Sequence, residues 1–293
     1  MYTLAELIEQ LLNVRKLPTI SNVALMLEQS LNQEEPDVEN VSEIISNDPA
    51  VTGQVLKVAN SALYGARRTI GTVQEAVMRL GFQEVRKMVM ALALIDFLSE
   101  ARLGLMNPLE FMRHSIGVAA GMQVVNKMTG LLRQDGNKAH VIGLLHDLGR
   151  WVSANYMPDV HQQILADDDD GDMKKDIIIL EREHIGLDHT QIGAAVLERW
   201  GLPLPIVQGV RFHHDPEVSS DTQRKMARVI YLVDNICISN EIGEVGEGPG
   251  GDIKESLWKK VGLDPEAEEE IVSQINETLK QSQVLLSIGG YEN

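Results

Sequence analysis

Three dipeptides predict helix starts at separate points along this chain of 293 residues. Asp48-Pro49, Asn107-Pro108 and Asp264-Pro265 each place a side chain that can accept hydrogen bonds from helix N–H groups directly before a proline. Proline is favoured at the first helical position, because its missing N–H would have no partner there in any case. A chain with predicted helix starts at such points is expected to fold largely as helices.

Apolar residues recur at helical spacing near both ends of the chain. In the last segment they occupy every fourth position, at Ile271, Ile275 and Leu279. A similar stripe near the N-terminus consists of Leu4, Leu7, Ile8, Leu11 and Leu12. Each stripe predicts one buried helix face.

Two segments rich in β-branched residues, 176–180 and 229–238, are compatible with strands as well as helices. Both are flanked by helical patterns and carry no hairpin turn signal, so we predict that they are helical. Aromatic residues make up only 4% of the chain, so aliphatic side chains must fill the interior, which is typical of helix-on-helix packing. The predicted fold class is therefore all-α.

The formal charge of −17 argues against general binding to nucleic acid or to an anionic membrane. Arg79, Arg86 and Lys87 lie close together in sequence, and we expect them to form a solvated helix face rather than a basic patch. The longest apolar run, residues 88–95, is too short to span a membrane. We therefore expect neither nucleic acid nor a membrane as a partner.

The expected location is the cytoplasm. The single cysteine, Cys237, excludes an intramolecular disulfide and suits a reducing compartment. Glu6 and Glu9 interrupt what would be the apolar core of a secretory signal.

Two segments are predicted to be loops, and one boundary is predicted between structural units. The acidic run 167–172 and the Gly- and Glu-rich stretch 243–251 lack helical spacing. All the candidate metal ligands lie beyond residue 105. We therefore predict that residues 1–105 form an N-terminal helical bundle, packed on a second bundle formed by residues 106–293.

Five of the eight histidines and two aspartates occur in an order that indicates a metal site. Imidazoles and carboxylates are the ligands that hold first-row divalent ions in proteins. The candidate residues are His114, His146, Asp147, His189, His213, His214 and Asp234. Taken singly, several have simpler explanations, since His213-His214 can stabilise a helix C-terminus and Gly149 can end a helix. Asp234 lies among apolar residues and needs a partner if it is buried.

The sequence resembles the HDOD family, a helical signalling module related to the HD metal-dependent phosphohydrolases. The resemblance rests on Leu17-Pro18, Asp48-Pro49, Leu80-Gly81, the later histidines and above all the string Asn60-Ser61-Ala62-Leu63-Tyr64-Gly65. It covers roughly residues 10–285 and implies an HD-like second bundle and a bacterial signalling role. Without the resemblance, the simpler expectation for this string is that Asn60 and Ser61 cap a helix end and that Tyr64 packs against the core.

The resemblance to HD-GYP phosphohydrolases implies a role for each candidate ligand. His114 resembles the first helical ligand, Glu110 an additional acidic ligand, and Asp147 a carboxylate that bridges two metal ions. His189, His213 and His214 resemble the histidines of the second ion, and Asp234 resembles the closing aspartate. His184 competes with His189, but the string Asp188-His189-Thr190-Gln191 matches the family form better.

Two departures from the HD-GYP pattern bear on activity. Arg150 occupies the place of a lysine that contacts phosphate, and Asp215-Pro216-Glu217 follows His214 where the pattern has Gly-Tyr-Pro. Arginine can still hold a phosphate, and paired divalent ions can activate water for attack on phosphorus. Mixed nitrogen and oxygen ligands suit six-coordinate iron or manganese better than tetrahedral zinc, and the ligand set allows a dinuclear centre.

Two functions remain open at this point. The first is a signalling protein that acts by binding a partner protein and retains the metal site. The second is a metal-dependent phosphohydrolase acting on a nucleotide or related phosphoester, with Asp147 and Arg150 as its catalytic residues. A di-iron centre of the same construction could instead activate oxygen.

Overall fold

The computed structural model describes residues 20–33, 35–61, 64, 69–99, 105–132, 135–169, 176–218, 221–243 and 253–288. These residues form helices and contain no strand, which confirms the predicted all-α class. The leucine stripe of residues 4–12 and the Leu17-Pro18 pair lie outside the described residues.

The N-terminal part contains a group of helices packed around one long helix. They are α1 (Asn22–Leu31), α2 (Val38–Ser46), α3 (Pro49–Ala59), α4 (Val73–Leu80) and α5 (Phe82–Ser99). Helices α1, α3 and α4 all pack against α5, which is buried along most of its length. On another side α5 contacts the second group of helices, so it belongs to the core of both.

The second group carries all the candidate ligands. Its helices are α6 (Pro108–Thr129), α7 (Gly136–Leu145), α8 (Leu148–Tyr156), α9 (Pro158–Asp169), α10 (Ile177–His184), α11 (His189–Arg199), α12 (Leu204–Arg211), α13 (Asp221–Ser239), α14 (Glu255–Val261), α15 (Glu268–Gln281) and α16 (Gln283–Ile288). Helix α6 lies at the centre and packs against α7, α13 and α15. The last helix, α16, returns to pack on α3 and α5.

A single apolar core of aliphatic side chains extends from Ile20 to Leu286 and passes through both groups of helices. The three tryptophans, Trp151, Trp200 and Trp258, are buried in it, as expected for core residues. The boundary proposed near residue 105 stays a prediction.

Two of the three residue pairs that end in proline cap a helix N-terminus as predicted. The Asp48 carboxylate accepts hydrogen bonds from the N–H groups of Ala50 and Val51, and Asn107 accepts one from Leu109 at 2.9 Å. Asp264 makes no such bond with its side chain, and Pro265 opens a single 3-10 turn that precedes α15. The third pair therefore marks a turn before the helix rather than the start of the α-helix itself.

The apolar pattern of the last segment predicts a buried helix face correctly, and both β-branched segments are helical. Ile271, Ile275 and Leu279 are buried on α15, and the two β-branched segments lie at the start of α10 and within α13. The acidic run does not form a loop throughout, because α9 continues to Asp169. Residues 170–172 and most of the stretch 243–251 lie outside the described residues.

The prediction of a solvated face for Arg86 was wrong. Its guanidinium is buried and forms a two-point ion pair with the equally buried carboxylate of Glu28, with 2.6 Å between Nε and Oε1. Lys87 and Arg79 are more exposed and pair with Glu84 and Glu75 on their own helices. The basic cluster is thus divided between the interior and the surface.

No helix in the described residues is both long enough and apolar enough to cross a lipid bilayer.

We expect Glu28→Ala to lower the free energy of unfolding by about 3–5 kcal/mol, because the variant leaves the buried charge of Arg86 without its partner. Lys259→Ala is the matched control, since it removes an exposed ion pair with Glu255 and should cost less than about 1 kcal/mol. Denaturant titration followed by circular dichroism measures both values. Equal losses in the two variants would contradict a structural role for the buried pair.

Candidate metal centre

The candidate ligands come from helices that meet around one buried point. His114 lies on α6 and Asp234 on α13, while His146 and Asp147 form the corner between α7 and α8. His189 opens α11, where Asp188 forms a capping box with Gln191. The pair His213-His214 follows the end of α12.

The structure brings the predicted residues together in two adjacent groups. His114, His146 and Asp234 form one group, and Asp147, His189, His213 and His214 form the other. Within each group one potential ligand atom per residue lies within 4.8 Å of all the others. Apart from His214, these side chains are 0–2% exposed.

The carboxylate of Asp147 faces both groups. Its Oδ2 atom lies 3.4 Å from Nε2 of His146 and 3.8 Å from Nε2 of His114. Its Oδ1 atom lies 3.5 Å from Nε2 of His189 and 3.6 Å from Nε2 of His213. One oxygen therefore serves each group, which is the arrangement that a bridging carboxylate requires.

Hydrogen bonds at the outer nitrogens fix which nitrogen of each imidazole carries a hydrogen. The Nδ1 atoms of His114, His146 and His213 lie 3.3, 2.8 and 2.6 Å from the carbonyl oxygens of Ile242, Gly143 and Val210. A carbonyl only accepts, so each Nδ1 carries a hydrogen, and a ring in its neutral form presents a bare Nε2 to the centre.

The Nε2 atoms meet in pairs. Those of His114 and His146 are 3.2 Å apart, as are those of His189 and His213. Two bare nitrogen lone pairs at this distance repel each other unless a proton or a cation lies between them. Asp234 adds a carboxylate oxygen 3.1 Å from Nε2 of His114.

The residues present fit a divalent metal. Neither oxygen of Asp147 nor Oδ1 of Asp234 has a hydrogen-bond partner among the described residues, although all three atoms are buried. Buried carboxylates without donors are costly unless a positive charge compensates them. The donor set of imidazole nitrogens and carboxylate oxygens is that of a divalent ion, and two such ions would supply water activation and Lewis acidity here.

The pKa values of the candidate ligands are shifted by burial and by the charges of their neighbours. Burial alone would lower the pKa of His146, but the charges of Asp147 and Asp234 outweigh it and raise the pKa to about 9. Glu181 and Asp147 likewise outweigh burial and raise the pKa of His189. In contrast, burial lowers the pKa of His213. The surrounding histidines hold the pKa of Asp147 well below its usual range despite its burial.

Close backbone contacts hold together the helices that carry each ligand group. A Cβ atom on Gly149 would lie 1.9 Å from the carbonyl oxygen of His189, and Gly193 lies in the same contact between α8 and α11. Gly143 approaches the backbone of Ala119 in a similar way, between α7 and α6. Gly149 therefore lies inside α8 and makes a close contact, and its interpretation as a helix stop was wrong.

Two candidates lie outside the ligand groups. Glu110 is partly exposed and pairs with Arg113 on its own helix, at 3.3 Å, and it belongs to neither group. His184 pairs with Asp167 at 2.8 Å, which leaves His189 as the histidine within the centre. The structure therefore does not bring the predicted additional acidic ligand to the site.

Arg150 lies beside the centre and is fully buried. Its positive charge helps to lower the pKa of Asp147 and also acts on His161, whose pKa is lowered to about 4 chiefly by burial. The guanidinium thus contributes to the electrostatics of the centre from a position with no solvent exposure.

Glu181 is a residue beside the centre that sequence reasoning missed. Its buried Oε2 atom accepts hydrogen bonds from the backbone N–H of His189 at 2.8 Å and from Nδ1 of the same residue at 2.7 Å. A carboxylate in this position orients a ligand histidine and increases its basicity. The available signal was a glutamate that directly follows the apolar run 177–180.

The sequence matches the HDOD domain over residues 17–216, more than half of its length. The chain belongs to the HDOD family. An uncharacterised protein of Treponema pallidum is 24% identical to it over 207 residues, 68% of this chain and 38% of that protein. The HDOD chain thus spans well under half the length of this curated relative.

Solved structures share the fold. An HDOD domain protein of unknown function from Geobacter sulfurreducens has a TM-score of 0.78 and 24% identity, with 99% of this chain and 98% of that chain covered. A candidate signal transduction protein from Marinobacter aquaeolei has a TM-score of 0.75 and 21% identity, with 98% and 64% covered. A candidate phosphohydrolase from Shewanella amazonensis has a TM-score of 0.73 and 24% identity, with 95% and 97% covered.

We expect Gly149→Ala to disrupt the centre, because the added methyl group would collide with the backbone of α11. The free energy of unfolding should fall by about 1–3 kcal/mol, the usual range for overpacking, and bound metal should fall with it. Gly53→Ala is the control. A Cβ there meets nothing within 4 Å, and the exchange within α3 should stabilise the protein by about 0.5–1 kcal/mol. Unchanged stability and metal content in the Gly149 variant would contradict the contact.

Metal affinity should fall as the pH decreases from about 9 to 6. A ligand histidine must lose its proton to bind a metal, and the raised pKa of His146 extends this competition into the alkaline range. Competition with a chelator of known affinity at each pH measures the change. His184→Gln, outside the centre, should show the same profile as the unaltered protein. A flat profile would show that no histidine proton is displaced.

Proposed function

We propose that this protein is a signalling protein of the HDOD family, which acts by binding a partner protein and retains an HD-type centre for two divalent ions. Iron or manganese suits the mixed nitrogen and oxygen donors. The observation that carries the proposal is the closure of the centre. Six of the seven candidate ligands are 0–2% exposed, His214 is partly exposed, and Arg150 is fully buried.

A phosphoester substrate needs direct access to the metal ions and to the cation that contacts its phosphate. Arg150 occupies the place of that cation in the resemblance to phosphohydrolases, yet no part of its side chain reaches solvent. A buried guanidinium beside Asp147 instead neutralises charge within the protein. This supports a structural and electrostatic role for Arg150 over contact with a substrate.

The segment after the two histidines also supports closure. Glu217 accepts hydrogen bonds from Arg228 and Lys260, each at 2.9 Å, and these partners lower its pKa to about 2. The segment is therefore attached to α13 and α14. In the phosphohydrolase pattern the corresponding residues are Gly-Tyr-Pro, on the substrate side of the site.

A second candidate function is hydrolysis of a nucleotide or related phosphoester. The two ligand groups that share the carboxylate of Asp147 favour it, because such an arrangement suits a pair of ions that activate water. The fold it shares with a candidate phosphohydrolase is compatible with this function. Fold alone does not decide activity.

Metal analysis of protein purified without added ions tests the centre. We expect two divalent ions per chain, and Asp147→Ala should lose most of the bound metal, because that side chain faces both ligand groups. Glu110→Gln is the matched control and should keep its metal, since Glu110 lies outside the groups. Unchanged metal content in the Asp147 variant would remove the bridging role.

Turnover of cyclic and linear nucleotides by the metal-loaded protein separates the two functions. We expect no turnover above that of the Asp147→Ala variant, because the centre is closed. Robust hydrolysis that disappears in the variant would establish the phosphohydrolase function in place of the binding function.

A further inference from the structure

A cavity of about 540 Å³ lies between the N-terminal helices and the second group. Its walls come from α5, α6, α7 and α15, together with Tyr64. Small-molecule sites usually have volumes of about 300–1,000 Å³, whereas packing voids rarely exceed a few waters. None of the metal-centre residues lines this cavity.

The lining of the cavity is divided between apolar and polar side chains. Met88, Ala91, Ile116, Ala120 and Leu144 provide an apolar surface. Amide and hydroxyl groups complete the wall, from Gln123, Asn126, Gln274, Thr278, Gln281 and Ser282. Such a lining fits a molecule with an apolar body and polar substituents.

Charge at the cavity differs from that of the whole chain. The protein has 43 acidic and 26 basic residues, but the cavity is lined by Lys87, Lys127 and a single carboxylate, Glu84. Glu84 is already engaged, since it accepts hydrogen bonds from Lys87 at 2.7 Å and from Tyr64 at 3.4 Å. Lys127 makes no ion pair with any described residue. The positive charge of Lys127 therefore has no acidic partner among the described residues at the cavity.

His140 adds a neutral hydrogen-bonding group. Burial, with the nearby charges of Lys87 and Arg86, lowers its pKa to about 3, so the ring is uncharged at neutral pH. Its Nδ1 atom is buried and has no hydrogen-bond partner among the described residues. A buried nitrogen of this kind is costly unless a ligand or water pairs with it.

We propose that this cavity binds a small amphipathic organic anion, with its apolar body against Ala91, Ala120 and Leu144 and its anionic group at Lys127. The site is separate from the metal centre but shares two helices with it. Helix α6 carries both His114 and Ala120, and α7 carries His140 and ends directly before His146. A ligand here would contact the elements that position two metal ligands.

The test uses 8-anilinonaphthalene-1-sulfonate, which joins an apolar aromatic body to one negative charge, and follows its fluorescence on titration with the full chain. We expect saturable binding with one site per chain. Lys127→Gln should weaken it about fivefold through loss of the charge contact. Lys254→Gln is the matched control, an exposed lysine outside the cavity, and should leave the affinity unchanged.

Ala120→Phe fills the cavity from α6 and should abolish binding. If this variant does not fold, Ala91→Met fills the cavity from α5 and gives the same test. The uncharged analogue N-phenyl-1-naphthylamine should bind the Lys127→Gln variant as well as the unaltered protein. Thermal unfolding checks that each variant is folded. Absence of saturable binding would overturn the proposal, as would equal affinity in the filled and unfilled proteins.

Discussion

The carboxylate of Asp147 is buried between four imidazole nitrogens, and the neighbouring structure is arranged to make that burial tolerable. Neither oxygen has a hydrogen-bond donor among the described residues, so compensation must come from positive charge. Carbonyl groups and Glu181 accept hydrogen bonds from the outer nitrogens of the histidines, so each Nε2 faces the carboxylate, where a bound cation or a proton on Nε2 supplies the positive charge. The surrounding histidines, with Arg150, hold the pKa of this carboxyl well below its usual range.

Much of this arrangement could be predicted from local patterns. The caps at Asp48 and Asn107 and the four-residue stripe on α15 depend on neighbours in sequence, and each forms as expected. The order of histidines and aspartates was also sufficient to select the residues that the structure brings together. These features can be predicted because they depend only on residue spacing within one helix or on the order of ligand types along the chain.

Features that depend on distant partners could not be predicted in the same way. The burial of Arg86 depends on Glu28, 58 residues away in sequence, and nothing near either residue indicates the pairing. The role of Gly149 depends on the approach of α11, and that of Glu181 on where its carboxylate meets His189. Glu110 shows the opposite case, since the resemblance to HD-GYP proteins suggested a ligand but its side chain pairs with Arg113.

The frame of the centre is built from residues other than its ligands. Gly149, Gly193 and Gly143 bring the helices into contact through backbone atoms, whatever side chains occupy the centre between them. Replacing a buried charged cluster with apolar side chains of similar volume is often neutral for stability. The helix contacts therefore do not depend on the ligands, and a fold of this kind does not by itself require that its metal centre be active.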